Sequence, residues 1–106
     1  MARILIVDGD QRAGELLCEQ LGGSGHELAV ARSGEQAIEH AAAAPFDLAL
    51  LELLLPDLHG FQTALRLREV AGARWFPIIV VTALRDPSSR TLAFRTGLDD
   101  YLTKPT

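Results

Sequence analysis

The strongest constraint on this chain is a rhythm: short apolar runs alternate with stretches whose apolar residues recur at helical spacing. Arg3–Val7, Phe46–Leu51 and Phe76–Val81 are almost wholly apolar after their first residues. Runs of that kind fit strands covered on both faces. Glu27–Ala31 and Asp100–Thr103 are shorter strand candidates. Between the strands, Ala13, Leu16, Leu17 and Leu21 mark a first helix, broken by Gly22, Gly23 and Gly25. Ser33-Gly34-Glu35 opens a second, with Ala37, Ile38 and Ala41 as its inner face. Leu58–Val70 reads as a third through Phe61, Ala64, Leu65 and Leu67. Asp86-Pro87 starts a fourth, because Asp accepts N–H groups at the cap and Pro fits the first turn. Gly97 ends it.

This βαβαβαβαβ order predicts an α/β fold, a doubly wound parallel sheet with helices on both faces. The 106 residues are expected to form one domain, residues 1–106. The net charge of -4 comes with no basic patch, so direct nucleic-acid binding is not expected. No apolar run reaches the roughly 18 residues of a membrane span, and the N-terminus reads as a strand rather than a signal peptide. The expected location is the cytoplasm, with no membrane contact. The single Cys18 cannot pair within the chain and reads as a small core or boundary residue.

In such sheets, ligands bind at the carboxyl ends of the strands. The first strand ends at Asp8 with Asp10 nearby, the third at Glu52, the fourth at Thr82, and Lys104-Pro105 follows the fifth. Carboxylates, a hydroxyl and an ammonium on one sheet edge suit a divalent cation and a phosphoryl group.

The segments ILIVDGD, AVARSGEQAIE, FDLALLELLLPDLHGFQ, PIIVVTA and GLDDYLTKP, in this order, resemble the receiver domains of two-component response regulators. The resemblance runs from residue 3 to 105. It implies a flavodoxin-like five-stranded sheet in the order 2-1-3-4-5. It also implies that an Asp ending the third strand takes a phosphoryl group from a histidine kinase, aided by Mg²⁺ on an acidic pair. Matched by position, Thr82 and Lys104 are the phosphate-contact residues, Tyr101 the switch aromatic, Asp8 the first acid, and Pro105 a candidate cis-proline.

Two positions depart from the family pattern. Glu52 stands at the phospho-acceptor position, and Gly9 replaces the second acid of the pair. Asp10 lies one residue later and reads as a helix cap. Any metal site is expected to be weak or lacking, limited to Asp8, Glu52 and the Leu54 carbonyl, so no cofactor is expected and Mg²⁺ binding is weakened. Glu is one methylene longer than Asp, and a displacement of about 1 Å can cost about 100-fold in rate. The chain is therefore expected to be a phosphorylation-independent pseudo-receiver and not an enzyme, with Glu52 reaching toward Lys104 and Thr82.

Asp57 reads as a turn or cap carboxylate, His59 as a solvated loop residue, and His26 and Asp47 as surface groups. Two alternatives are a conventional Mg²⁺-dependent phospho-receiver and a haloacid-dehalogenase-like phosphohydrolase, for which Asp8 and Asp10 would form an Asp-x-Asp motif. Expected partners are proteins: an output module or downstream signalling protein, a histidine kinase, and a second copy of the chain. The family's fifth helix is not seen in the sequence. Its absence would leave a sheet face open, and self-association is expected there or on the face of the fourth helix and fifth strand.

Overall fold

The computed structural model describes residues 2–23 and 25–104. Its strands are β1 (Arg3–Val7), β2 (Glu27–Ala31), β3 (Leu48–Leu51), β4 (Ile78–Thr82) and β5 (Asp100–Thr103), with helices α1 (Gln11–Gly22), α2 (Gly34–Ala43), α3 (Gly60–Ala71) and α4 (Pro87–Arg95) between them. The five strands form one sheet in the order β2-β1-β3-β4-β5, and every pairing is parallel. This is the flavodoxin-like, doubly wound arrangement expected.

Alternation along the strands builds two apolar layers. Leu5, Val7, Ala49, Leu51, Ile78, Val80 and Tyr101 share one core with Ala37, Ala64, Leu67 and Ala93 of the helices. The opposite face carries buried Ile4, Ile6 and Val81, and Leu102, which is exposed.

The element ends differ from the sequence reading where local hydrogen bonds intervene. β3 begins at Leu48 rather than Phe46, because the Asp47 carboxylate bends in to accept the Arg3 amide at 2.7 Å. β4 begins at Ile78 rather than Phe76: Pro77 has no N–H to give, and the Ile78 amide goes to the Asp99 side chain at 2.7 Å. α3 begins at Gly60 rather than Leu58. His59 is its cap, its Nδ1 accepting from the Phe61 amide at 3.2 Å while Gln62 Oε1 accepts from the His59 amide at 3.0 Å. Leu65 and Leu16 point outward, so neither belongs to an inner helical face. No helix among the described residues is long and apolar enough to cross a membrane.

Candidate functional site

The backbone ladder runs one residue past the strands and fixes the charged groups at their ends. The Asp8 amide donates to the Ala31 carbonyl (3.0 Å), the Glu52 amide to Val7 (2.9 Å) and the Lys104 amide to Thr82 (2.8 Å). Asp8, Glu52, Thr82 and Lys104 are thereby gathered on one edge. Asp8 and Glu52 are 4% and 6% exposed, and Thr82 is fully buried. Buried carboxylates persist only when paired and hydrogen-bonded, and here every oxygen is engaged. Lys104, the chain's sole lysine, places its ammonium 2.7 Å from Asp8 Oδ2 and 2.9 Å from Glu52 Oε2. Asp8 Oδ1 accepts from the Asp10 amide at 2.9 Å. Glu52 Oε1 accepts from the amides of Leu53 (2.8 Å) and Leu54 (3.1 Å) and, in a very short contact, from the Thr82 hydroxyl. Burial opposes the Lys104 cation, but the hydrogen bonds and charges of Asp8 and Glu52 outweigh it and hold its pKa above the ordinary lysine value.

A glycine keeps Glu52 in place from the other side. A Cβ on Gly60 would lie 2.6 Å from Leu53 Cα and 2.8 Å from the Glu52 carbonyl oxygen, both backbone atoms. Only glycine lets α3 start against the end of β3.

From Thr82 the bonding continues outward. The Leu84 amide reaches the Thr82 hydroxyl at 3.3 Å, and the Leu84 carbonyl accepts the Tyr101 hydroxyl at 2.8 Å. Tyr101 is buried, with the Arg90 guanidinium 6.0 Å from its ring centroid. Burial first, then the negative charges of Asp86 and Glu52, push its phenol above the ordinary tyrosine pKa.

Asp10 is not gathered into this cluster. It is exposed, and its carboxylate caps α1 through the Arg12 amide at 3.0 Å. Gly9 is exposed too, and a Cβ there would meet Pro56 Cδ at 3.1 Å. A side chain at position 9 needs Pro56 to give by a few tenths of an ångström. Leu54 has an exposed side chain beside the site. Pro105 lies outside the described residues. As arranged, the donor set does not fit Mg²⁺, which takes oxygen ligands in a near-octahedral shell. The Lys104 ammonium already stands between the two acids, and Gly9 contributes no oxygen. Among the described residues no group of three His, Cys, Asp or Glu side chains could hold a metal ion.

One neighbour of the site has a role the sequence did not reveal. Asp57 does not act on its own turn alone: its carboxylate accepts from the amides of Gly34 (2.8 Å) and Glu35 (2.9 Å) at the start of α2, as well as Leu58 (2.8 Å). Those amides pull its pKa below the ordinary carboxylate value. The loop after β3 is thus tied to α2. The only sequence signal was an acid in a turn, which says nothing about a partner more than twenty residues away.

The response regulator receiver domain family profile matches residues 4–106. The alkaline phosphatase synthesis transcriptional regulatory protein PhoP of Bacillus subtilis is 35% identical over 103 residues, covering 97% of this chain and 42% of that protein. The DNA-binding response regulator MtrA of Mycobacterium tuberculosis is 38% identical over 103 residues, covering 97% of this chain and 44% of that protein. The chain therefore spans less than half the length of these relatives. Among solved structures, a two-component response regulator from Clostridium difficile superposes with a TM-score of 0.93 at 32% identity, over 100% of this chain and 85% of that one. A phosphohydrolase assignment for the Asp8–Asp10 pair falls with these matches and with the capping geometry of Asp10. The sequence, the sheet order and these likenesses agree: the chain belongs to the response regulator receiver domain family.

Proposed function

We propose that this receiver domain is held in one signalling conformation by Glu52 and works without phosphoryl transfer. One observation carries the reading: Glu52 engages the Thr82 hydroxyl, two backbone amides and, together with Asp8, the Lys104 ammonium. Those are the donors a phosphoryl group on a shorter acid would need. An anion that receives the Thr82 hydroxyl from within, with Tyr101 turned inward onto Leu84, favours the active-like arrangement. Gly9 and the bridging Lys104 act in the same direction by weakening any Mg²⁺ site. A conventional phospho-receiver is the second reading, favoured by the presence of Thr82, Tyr101 and Lys104 at the family's positions.

The domain acts through protein contacts as one module of a longer cytoplasmic protein. Its partners are an output module or a downstream signalling protein, and a histidine kinase can dock without transferring phosphate. Any nucleic-acid contact belongs to another module, since this domain carries a net charge of -4.

Hydrogen exchange on Glu52 variants tests the holding role. Glu52→Ala removes the Thr82 and Lys104 contacts together. Exchange at the Leu84 amide and around Tyr101 is expected to rise at least about tenfold. Glu52→Gln keeps an acceptor for Thr82 but loses the charge facing Lys104, and is expected to fall between. Exchange in both variants equal to that of the parent protein would refute the proposal.

A further inference from the structure

The acidic corner of the site carries a cation of its own. The Lys104 ammonium lies 2.7 Å from Asp8 Oδ2 and 2.9 Å from Glu52 Oε2, and both acids are buried. The other oxygen of each acid is taken by donors of the fold: Asp8 Oδ1 by the Asp10 amide, Glu52 Oε1 by the Leu53 and Leu54 amides and the Thr82 hydroxyl. Oδ2 and Oε2 are therefore the oxygens that a bridging metal ion would have to use, and the ammonium holds both. Lys104 is also anchored through its backbone. Its amide donates to the Thr82 carbonyl at 2.8 Å, and its carbonyl accepts from the Arg85 guanidinium at 2.6 Å. Its side chain is 26% exposed, so ions in solution can reach the ammonium.

We infer that the Lys104 ammonium is the resident counter-ion of Asp8 and Glu52, standing where a divalent cation would bridge them, and that it makes the domain indifferent to Mg²⁺. This rests on the reading of Glu52 given above and adds a competition to it: ammonium and divalent cation exclude one another. Two features favour the ammonium. Its one positive charge on two carboxylates leaves a single negative charge, which the amides and the Thr82 hydroxyl hold by hydrogen bonds; buried charge is tolerated only when met in this way. A divalent cation beside a retained ammonium would reverse the sign of the cluster, so one of the two must leave. Mg²⁺ also asks for about six oxygens in near-octahedral order, and Gly9 supplies none from a side chain. The converse follows. With the ammonium removed, Asp8 and Glu52 are two unpaired buried carboxylates, and a divalent cation is the ligand class that satisfies them.

The test compares thermal unfolding in MgCl₂ at about 10 mM with NaCl of equal ionic strength, so that screening is the same in both. The parent protein is expected to have the same Tm in the two salts, to within about 1 °C. Lys104→Met is expected to unfold at least about 4 °C higher in MgCl₂ than in NaCl. Adding Asp8→Asn to Lys104→Met is expected to abolish that gain. A parent stabilised by Mg²⁺ as much as Lys104→Met would overturn the inference. So would a Lys104→Met chain that gains nothing from Mg²⁺, or a gain that survives Asp8→Asn. If Lys104→Met does not fold, the parent decides alone: water-proton relaxation with Mn²⁺ as the probe is expected to show no site tighter than about 10 mM, and a tighter site overturns the inference. Exchange at the Leu84 amide in Glu52→Ala is read without Mg²⁺, so the holding role of Glu52 and this competition fail separately.

Discussion

Replacing Lys104 with methionine, Lys104→Met, keeps the length of the side chain and removes its charge. Asp8 and Glu52 both touch the Lys104 nitrogen, at 2.7 and 2.9 Å, so they lie within about 6 Å of one another. At that spacing, with an effective dielectric near 20, two carboxylates repel by about 3 kcal/mol. Breaking a fully buried ion pair costs about 3–5 kcal/mol. Lys104 is 26% exposed on its side chain, so solvent screening takes the expected loss to about 2–3 kcal/mol. For a domain of this size that lowers Tm by about 10–20 °C. The assay is thermal unfolding followed by circular dichroism at pH 7. A Tm loss under about 3 °C refutes the reasoning. The parent also has an alkaline signature. Its raised Lys104 pKa means that this contribution is fully present below the unfolded value of 10.5 and is lost as pH rises through the folded value. Lys104→Met lacks that limb.

Gly60→Ala drives a methyl group into the Leu53 and Glu52 backbone and is expected to cost about 1–3 kcal/mol in urea unfolding, as overpacking does; an unchanged midpoint contradicts the close approach. Asp86 caps α4 through the hydroxyls of Ser89 and Ser88 and the Ser89 amide, which lower its pKa to about 2. Its stabilising contribution is present above its ordinary value of 3.8 and fades as pH falls toward the folded value, so Asp86→Ala should weaken α4 at pH 7 and leave little difference at pH 2, as judged by amide exchange along the helix.

The inner strands were legible because burial on both faces writes itself as apolar runs, and β1, β2 and β5 have the bounds read for them, although β2 and β5 are edge strands with exposed residues. Boundaries slipped where a side chain competed for a backbone group, as Asp47 does for Arg3 and Asp99 for Ile78. Composition gives no sign of such long-range bonds. At the site, strand-end positions alone brought Asp8, Glu52, Thr82 and Lys104 into one group. Beyond the reach of Glu52 toward Lys104 and Thr82, what each oxygen binds was not legible, because it depends on the ladder bonds that set the depth of each strand end. The link from Asp57 to α2 and the need for glycine at position 60 arise from packing between distant segments, and neither leaves a local pattern.

The central claim is that Glu52 already fills the place of a phosphoryl group. The most direct measurement is the intact mass of the protein after incubation with acetyl phosphate and Mg²⁺, with hydroxylamine lability as a check for an acyl phosphate. The account predicts no mass gain in the parent protein. A stoichiometric gain of one phosphoryl group, reversed by hydroxylamine, would contradict it.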